Sequence, residues 1–160
     1  MNISPPGTVV LKFGSRLLTN GTAELDTERM ASVARAVVAC GDRNIVIVSS
    51  GAVAAGFQAL GHATPPTRIA ERQAAAAVGQ GRLMKLWGDA FQTVGLHVGQ
   101  ILLTNDCLTD RKRYVAARRA LRALLQAGVI PIVNENDSVS VDEIVVGDND
   151  NLAAMTVGTP

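Results

Sequence analysis

The chain has 160 residues, of which 48% are hydrophobic and 18% charged, with a formal net charge of +1. That is enough apolar material to bury a core, as one domain or part of a larger one, and the near-neutral balance offers no electrostatic argument for nucleic acid or a membrane surface. Aromatic residues make up only 3% while Ala, Val, Leu and Gly dominate, which suits helices packed closely on a sheet better than an aromatic-rich β-sandwich.

The opening MNISPPGTVVLKFG lacks the basic region and long apolar run of a signal peptide. Residues 8–13, TVVLKF, predict a buried strand ending at Gly14. A helix follows, capped by Asp26 or Thr27, with Met30, Val33, Ala34, Val37 and Val38 at helical spacing and Gly41 as its stop. NIVIVSS (44–50) is a continuous β-branched run of the kind buried on both faces of a parallel sheet. It meets GAVAAG (51–56), whose small residues permit close backbone approach. Residues 68–93 are helical by composition, but Gly79, Gly81 and Gly88 interrupt them, so the expectation is two helices or one with a break. VGQILLT (98–104) is the third strand. Residues 111–126 form the next helix, with Tyr114, Ala117, Leu121, Leu124 and Leu125 on one face and Gly128 as its stop. VIPIV (129–133) is the fourth strand. SVSV and EIVV, around Asp142 and Glu143, read as a small hairpin or two short extended pieces, and a last helix starts near Asp148–Asp150.

Strand and helix alternate throughout, so the fold class is α/β, a mainly parallel sheet with helices on both faces. No segment approaches the ~20 apolar residues of a membrane span. Cys40 and Cys107 have neither CxxC nor metal-like spacing. A soluble, cytoplasmic chain with reduced cysteines is the expectation.

Ligands of open α/β sheets gather at the carboxyl ends of the strands. Four polar clusters fall there: Lys12 to Ser15, Ser49 to Ala52, Asn134 to Asp137, and Asp148 to Asp150. Each has a plain reading beside a functional one. Lys12 inside an apolar strand either meets an anion or reaches solvent from an edge. Gly14-Ser15 and Ser50-Gly51 offer backbone N–H groups to phosphate or carboxylate, while helix capping explains Ser50 as well. Asp148 and Asp150 are equally ordinary caps. Capping does not explain the repetition of acids and amides on both sides of a short loop. Carboxylates accept from an ammonium and amides both donate and accept, so together they fit a zwitterion.

Other chemistries are excluded by inspection. GxxxxGK[ST], GxGxxG after Gly14, GxSxG and HExxH are all missing, and His62 and His97 lack nearby partners in sequence. The basic run RKRYVAARRALR (111–122) alternates with the apolar face, which favours a solvated helix face over a grip on an anion or RNA.

Taken together, VVLKFGSRLLTNG, IVIVSSGAVAAGFQALG, QAAAAVGQGRLMKLW, HVGQILLT, VIPIVNENDSV and VGDNDNLAA resemble the glutamate 5-kinases, amino-acid-kinase-fold enzymes of proline biosynthesis. The likeness spans nearly the whole chain. The pair NENDSV and GDNDNLAA is its specific part; the lysine-glycine turn alone marks only the wider superfamily. The resemblance implies transfer of the ATP γ-phosphoryl group, with Mg²⁺, to the side-chain carboxylate of L-glutamate. It implies that Lys12 contacts the transferring phosphoryl group, with Gly14 and Ser15 against the phosphates or the substrate's reacting end. Ser50 and the Gly51-Ala52 backbone would hold glutamate, and Asn134, Asp137, Asp148 and Asn149 would surround its α-amino and α-carboxyl ends. Asp150 would orient the catalytic lysine. Proline as feedback inhibitor and a homo-oligomer are further implications.

Arg16 stands where the family usually has a small hydroxyl residue, placing a bulky charge in the first turn. Family members continue past the GDNDN segment into a nucleotide-binding half, often followed by a PUA domain. Set against that pattern, residues 1–160 correspond to the glutamate-binding portion, with little or no kinase activity expected of this polypeptide alone. The competing expectations are a non-catalytic amino-acid-binding or regulatory module, and an inactive fragment that needs a partner chain.

Overall fold

A computed structural model describes residues 7–19, 24–104 and 106–139, with Leu108 described in its backbone only. Strand β1 (Thr8–Phe13) leads through Gly14 into a single turn, α1 (Ser15–Thr19), in which Arg16 is exposed. Helix α2 (Thr27–Ala39) starts where Asp26 accepts a hydrogen bond from the Arg29 N–H at 2.9 Å, which settles the choice between Asp26 and Thr27 as cap. It closes at Gly41, with φ 67°. Strand β2 (Asn44–Ser49) is followed by the short α3 (Ala52–Gly56) and a 3₁₀ turn at Phe57–Leu60.

Helix α4 (Ile69–Gln92) runs unbroken for 24 residues, which corrects the expectation of a break at its glycines. The glycines adjust the surface rather than the axis. A Cβ on Gly79 would lie 1.8 Å from the carbonyl oxygen of Ala52, and one on Gly56 would lie 2.0 Å from that of Ala75. The two helices thus cross backbone to backbone, and only paired glycines allow it.

Strand β3 (His97–Leu103), the single turn α5 (Asp106–Thr109), helix α6 (Arg111–Gln126) and strand β4 (Val129–Glu135) complete the described elements. Strand β4 runs two residues beyond the expected end, so Asn134 and Glu135 belong to the sheet and are buried, 2% and 5% exposed. The expected hairpin around residues 142–143 and the helix from Asp148 lie outside the described residues.

The four strands are all parallel, in the order β1-β2-β4-β3. Strands β1 and β2 pair along their whole length, as do β3 and β4. The central join is short, Ile47↔Ile132 and Val48↔Val133, and begins just after Pro131, which has no N–H to give. Alternation assigns the faces. Val9, Leu11, Phe13, Ile45, Ile47, Ile130 and Ile132 pack against α2, α3 and α4 through Met30, Ala34, Val37, Ala52, Ala55, Leu83, Trp87 and Phe91. Val10, Val46, Val48, Ile101, Leu103 and Val133 pack against α6 through Tyr114, Ala117, Leu121 and Leu125, the apolar stripe expected of that helix. Its arginines and lysine at 111, 112, 113, 119 and 122 are exposed, a solvated face. Among the described residues no helix is long and apolar enough to cross a membrane.

Candidate functional site

The carboxyl ends of the four strands form one rim, and the chain builds it by extending the sheet a residue at a time. The Ser50 N–H donates to the Phe13 carbonyl at 2.9 Å, and the Asn136 N–H to that of Leu103 at 2.7 Å. At the end of β2, Ser49 is fully buried; its hydroxyl accepts from the Trp87 indole N–H at 2.9 Å and donates to the Ser50 carbonyl at 3.1 Å. This chain of bonds ties the turn before α3 to the middle of α4. Gly51 then takes φ 110°, a conformation that L side chains rarely adopt, with Leu25 and Leu18 closing over it at 3.5 and 3.7 Å from a hypothetical Cβ.

On the α4 side of the rim lies a cleft of ≈ 320 Å³. One wall is Ala52 at the start of α3. The second is the α4 surface at Ala76, Ala77, Gln80 and Gly81. Gln100 and Leu102 of β3 form a third side, and Glu135 to Ser138 cover the end. The small residues leave the room, and the polar groups are concentrated at the β4 end. There Ser138 Oγ donates to Asn136 Oδ1 at 2.6 Å, and the Val139 N–H to the Asn136 carbonyl at 3.2 Å, which folds the segment into a turn over the cleft. Beneath it, Asn134 Nδ2 donates to Gln80 Oε1 at 2.9 Å, joining β4 to α4.

The structure distributes the sequence-derived candidates unevenly. Ala52 and Asp137 line the cleft. Asn134 is buried beside it through Gln80, and Ser50 and Gly51 form the turn leading into Ala52. Lys12 is exposed on β1, the edge strand of the described sheet, and its register partner is Val48. Alternation places its side chain on the α6 face with Val10, opposite Asn134 and the cleft. Gly14 and Ser15 continue the rim from that strand, and a Cβ at Gly14 would meet open space. Asp148, Asn149 and Asp150 lie outside the described residues. Sequence reasoning missed Gln80 and Gln100, which carry no local signal, because only the tertiary fold brings them to the rim. Glu135 falls within the Asn134 to Asp137 cluster, and its register partner Leu103 places its side chain on the α6 face with Val133. No group of three or more His, Cys, Asp or Glu residues arranged to hold a metal occurs among the described residues.

Comparison with known proteins agrees with this architecture. The amino acid kinase family model matches residues 7–157. The chain is 48% identical over 158 residues to the glutamate 5-kinase of Shewanella sediminis, covering 96% of this chain and 42% of that protein. It is 50% identical over 149 residues to that of Aromatoleum aromaticum, covering 92% and 40%, and 46% identical over 155 residues to that of Escherichia coli, covering 96% and 42%. The chain therefore spans about two fifths of the length of these curated relatives. Among solved structures, the isopentenyl phosphate kinase of T. acidophilum, in a product complex, superposes with a TM-score of 0.53 at 14% identity. That match covers 79% of this chain and 54% of the other, and it speaks to the fold alone. A parallel sheet with this strand order and a family match across nearly its whole length have one conclusion: the chain belongs to the amino acid kinase family.

Proposed function

We propose that this chain forms the amino-acid side of a glutamate 5-kinase, holding L-glutamate while its side-chain carboxylate attacks the γ-phosphorus of Mg-ATP. A carboxylate oxygen forms the new O–P bond, the bond from the γ-phosphorus to the ADP oxygen breaks, and γ-glutamyl phosphate and ADP result. This would be the first step of proline biosynthesis. The observation that carries the reading is the cleft, which has an acceptor at its β4 end, Asp137, and an amide on its α4 wall, Gln80. Acceptors suit an ammonium and an amide donor suits a carboxylate, so the lining matches a doubly ionic amino acid. The identity of 46–50% to glutamate 5-kinases supports glutamate as that amino acid.

In this reading Asp137, with Asn134, Asp148 and Asn149, surrounds the α-amino and α-carboxyl ends, and Ser50, Gly51 and Ala52 hold the ligand from the β2 turn. Lys12 neutralises charge on the transferring phosphoryl group, Gly14 and Ser15 lie against the phosphates, and Asp150 orients Lys12. The strand order gives the division of labour its scale. Strands β1 and β4 are separated by β2, and neighbouring strands lie ~4.8 Å apart, so their ends are ~10 Å apart along the rim. The reacting phosphoryl group would then sit over the Ser50-Gly51 turn, between the lysine from one side and the carboxylate from the other. No general base is required, because a carboxylate of pKa about 4 is already ionised at neutral pH. Catalysis would rest on positioning and charge.

Titration calorimetry on the 160-residue chain tests the reading, with L-glutamate, L-proline and Mg-ATP as separate ligands. Saturable binding of L-glutamate without nucleotide is expected, weakened at least about tenfold by Asp137→Asn through loss of a charge-assisted bond. Glutamate binding that Asp137→Asn leaves unchanged, or no glutamate binding at all, would overturn it.

A further inference from the structure

We propose that the side-chain amide of Gln80 is a substrate-binding group of the cleft, its Nε2 donating to a carboxylate oxygen of the bound amino acid. The proposal rests on the reading of the cleft as an amino-acid site and deepens it.

Three observations converge on this one amide. Gln80 lines the cleft from α4. Its Oε1 accepts from Nδ2 of Asn134, a residue 2% exposed within β4, at 2.9 Å, so the amide is held in one orientation by a buried partner. With Oε1 engaged, Nε2 is left buried and without an acceptor among the described residues. Buried amide N–H groups are nearly always bonded, and leaving one unmade is destabilising. A site that keeps such a donor at the wall of a cavity is organised for an acceptor that arrives with the ligand. The side chains at the β4 end include the Asp137 carboxylate, which repels a ligand carboxylate. Gln80 thus supplies what that acid cannot, a neutral donor for the anionic end. The Asn134–Gln80 bond also gives Asn134 a positioning role, fixing which face of the amide meets the ligand.

Glutamate carries two carboxylates, and the same chemistry serves either. The experiment titrates L-glutamate into the wild-type chain, Gln80→Leu and Gln80→Glu, with circular dichroism confirming unaltered folding. Gln80→Leu keeps much of the volume and removes the donor; its affinity is expected to fall about ten- to a hundredfold, the loss of one hydrogen bond to a charged group. Gln80→Glu is expected to fall at least as far, since it sets like charge against like. L-glutamine and L-isoglutamine, each lacking one carboxylate, identify the end that is held: the analogue whose affinity is insensitive to Gln80→Leu lacks the relevant group. Should Gln80→Leu fail to fold, the side-chain amide ¹⁵N–¹H resonances of wild-type Gln80 provide the readout, and they are expected to move on glutamate addition. Wild-type affinity in both variants, tighter binding by Gln80→Glu, or amide resonances that stay still at saturation would overturn the assignment while leaving glutamate binding intact. A wild-type chain that binds no glutamate would remove the underlying reading and this assignment with it.

Discussion

Gly79→Ala is the sharpest test of how the cleft is held together. The added Cβ would stand 1.8 Å from the Ala52 carbonyl oxygen and 2.6 Å from the Gly56 nitrogen. These are backbone atoms of a neighbouring helix and cannot rotate aside. Restoring ordinary contact requires α3 to retreat by about 1.5 Å. That movement would pull Ala52 and Ala55 out of the main core and shift one wall of the cleft. Overpacking of this kind costs ~1–3 kcal/mol, here at the upper end because the obstacle is main chain. Alanine returns ~1 kcal/mol as the better helix former. The net expectation is a loss of about 2 kcal/mol, or a fall of about 4–8 °C in Tm for a chain of this size. Gly81, in the same helix, is the internal control. No atom lies within 4 Å of its hypothetical Cβ, so Gly81→Ala retains only the helix gain and should stabilise by ~0.5–1 kcal/mol. Urea unfolding of both variants, followed by circular dichroism, reads the two signs side by side. A Gly79→Ala protein as stable as wild type, or a Gly81→Ala protein equally damaged, would refute the backbone-to-backbone crossing.

The buried Trp87–Ser49 bond should couple its partners by ~1 kcal/mol in a double-mutant cycle of Trp87→Phe and Ser49→Ala, measured by denaturant unfolding; a coupling near zero would make it incidental. Lys12→Ala should change glutamate affinity by no more than about twofold, as expected of a side chain on the face opposite the cleft, and a large loss in calorimetry would place its ammonium among the glutamate contacts. Asp106 is held below the usual carboxylate range by the Thr104 hydroxyl, with the Arg113 guanidinium 2.5 Å away adding to it. Asp26 is held low chiefly by the Arg29 backbone N–H. Groups with depressed folded-state pKa values add stability above their unfolded pKa of about 4 and lose it as pH falls through the folded value. Thermal melts below pH 4 should therefore show Thr104→Val losing less stability on acidification than wild type, and equal slopes would contradict the assignment.

The fold was legible wherever a residue's role depends on its sequence neighbours. The β-branched run 44–49, the apolar stripe from Tyr114 to Leu125 and the stops at Gly41 and Gly128 each announce themselves within a few positions, and the structure places all of them as expected. The glycines of α4 misled for the complementary reason. A glycine inside a helical pattern signals weakness if nothing else touches it. Gly79 is instead the point where α3 comes within reach of the main chain, and its partner Gly56 is remote in sequence. Strand β4 was cut short at Val133 because Asn134 and Glu135 look like the start of a loop. The pairings Leu102↔Asn134 and Leu103↔Glu135 with β3 keep them in the sheet.

The candidate site divides along the same line. The positions of Asp137 and Ala52 at the cleft were legible because residues just after parallel strands fall on one rim whatever the tertiary detail. Gln80 was not, since its partner Asn134 is 54 residues away and a glutamine in a helix of mixed polarity looks like surface. Val9, Leu11 and Phe13 alternate with Val10 and Lys12, so the lysine must share a face with Val10 and stand opposite the residues that pack on α4. Being on one rim is therefore not the same as being in one cleft. A lysine and a carboxylate that approach from opposite faces of a sheet do not pair with each other; they meet only through a group placed over the intervening strand. Under the proposed chemistry that group is the bound glutamate with the transferring phosphoryl at its side-chain end, its ammonium toward Asp137 and the phosphoryl toward Lys12.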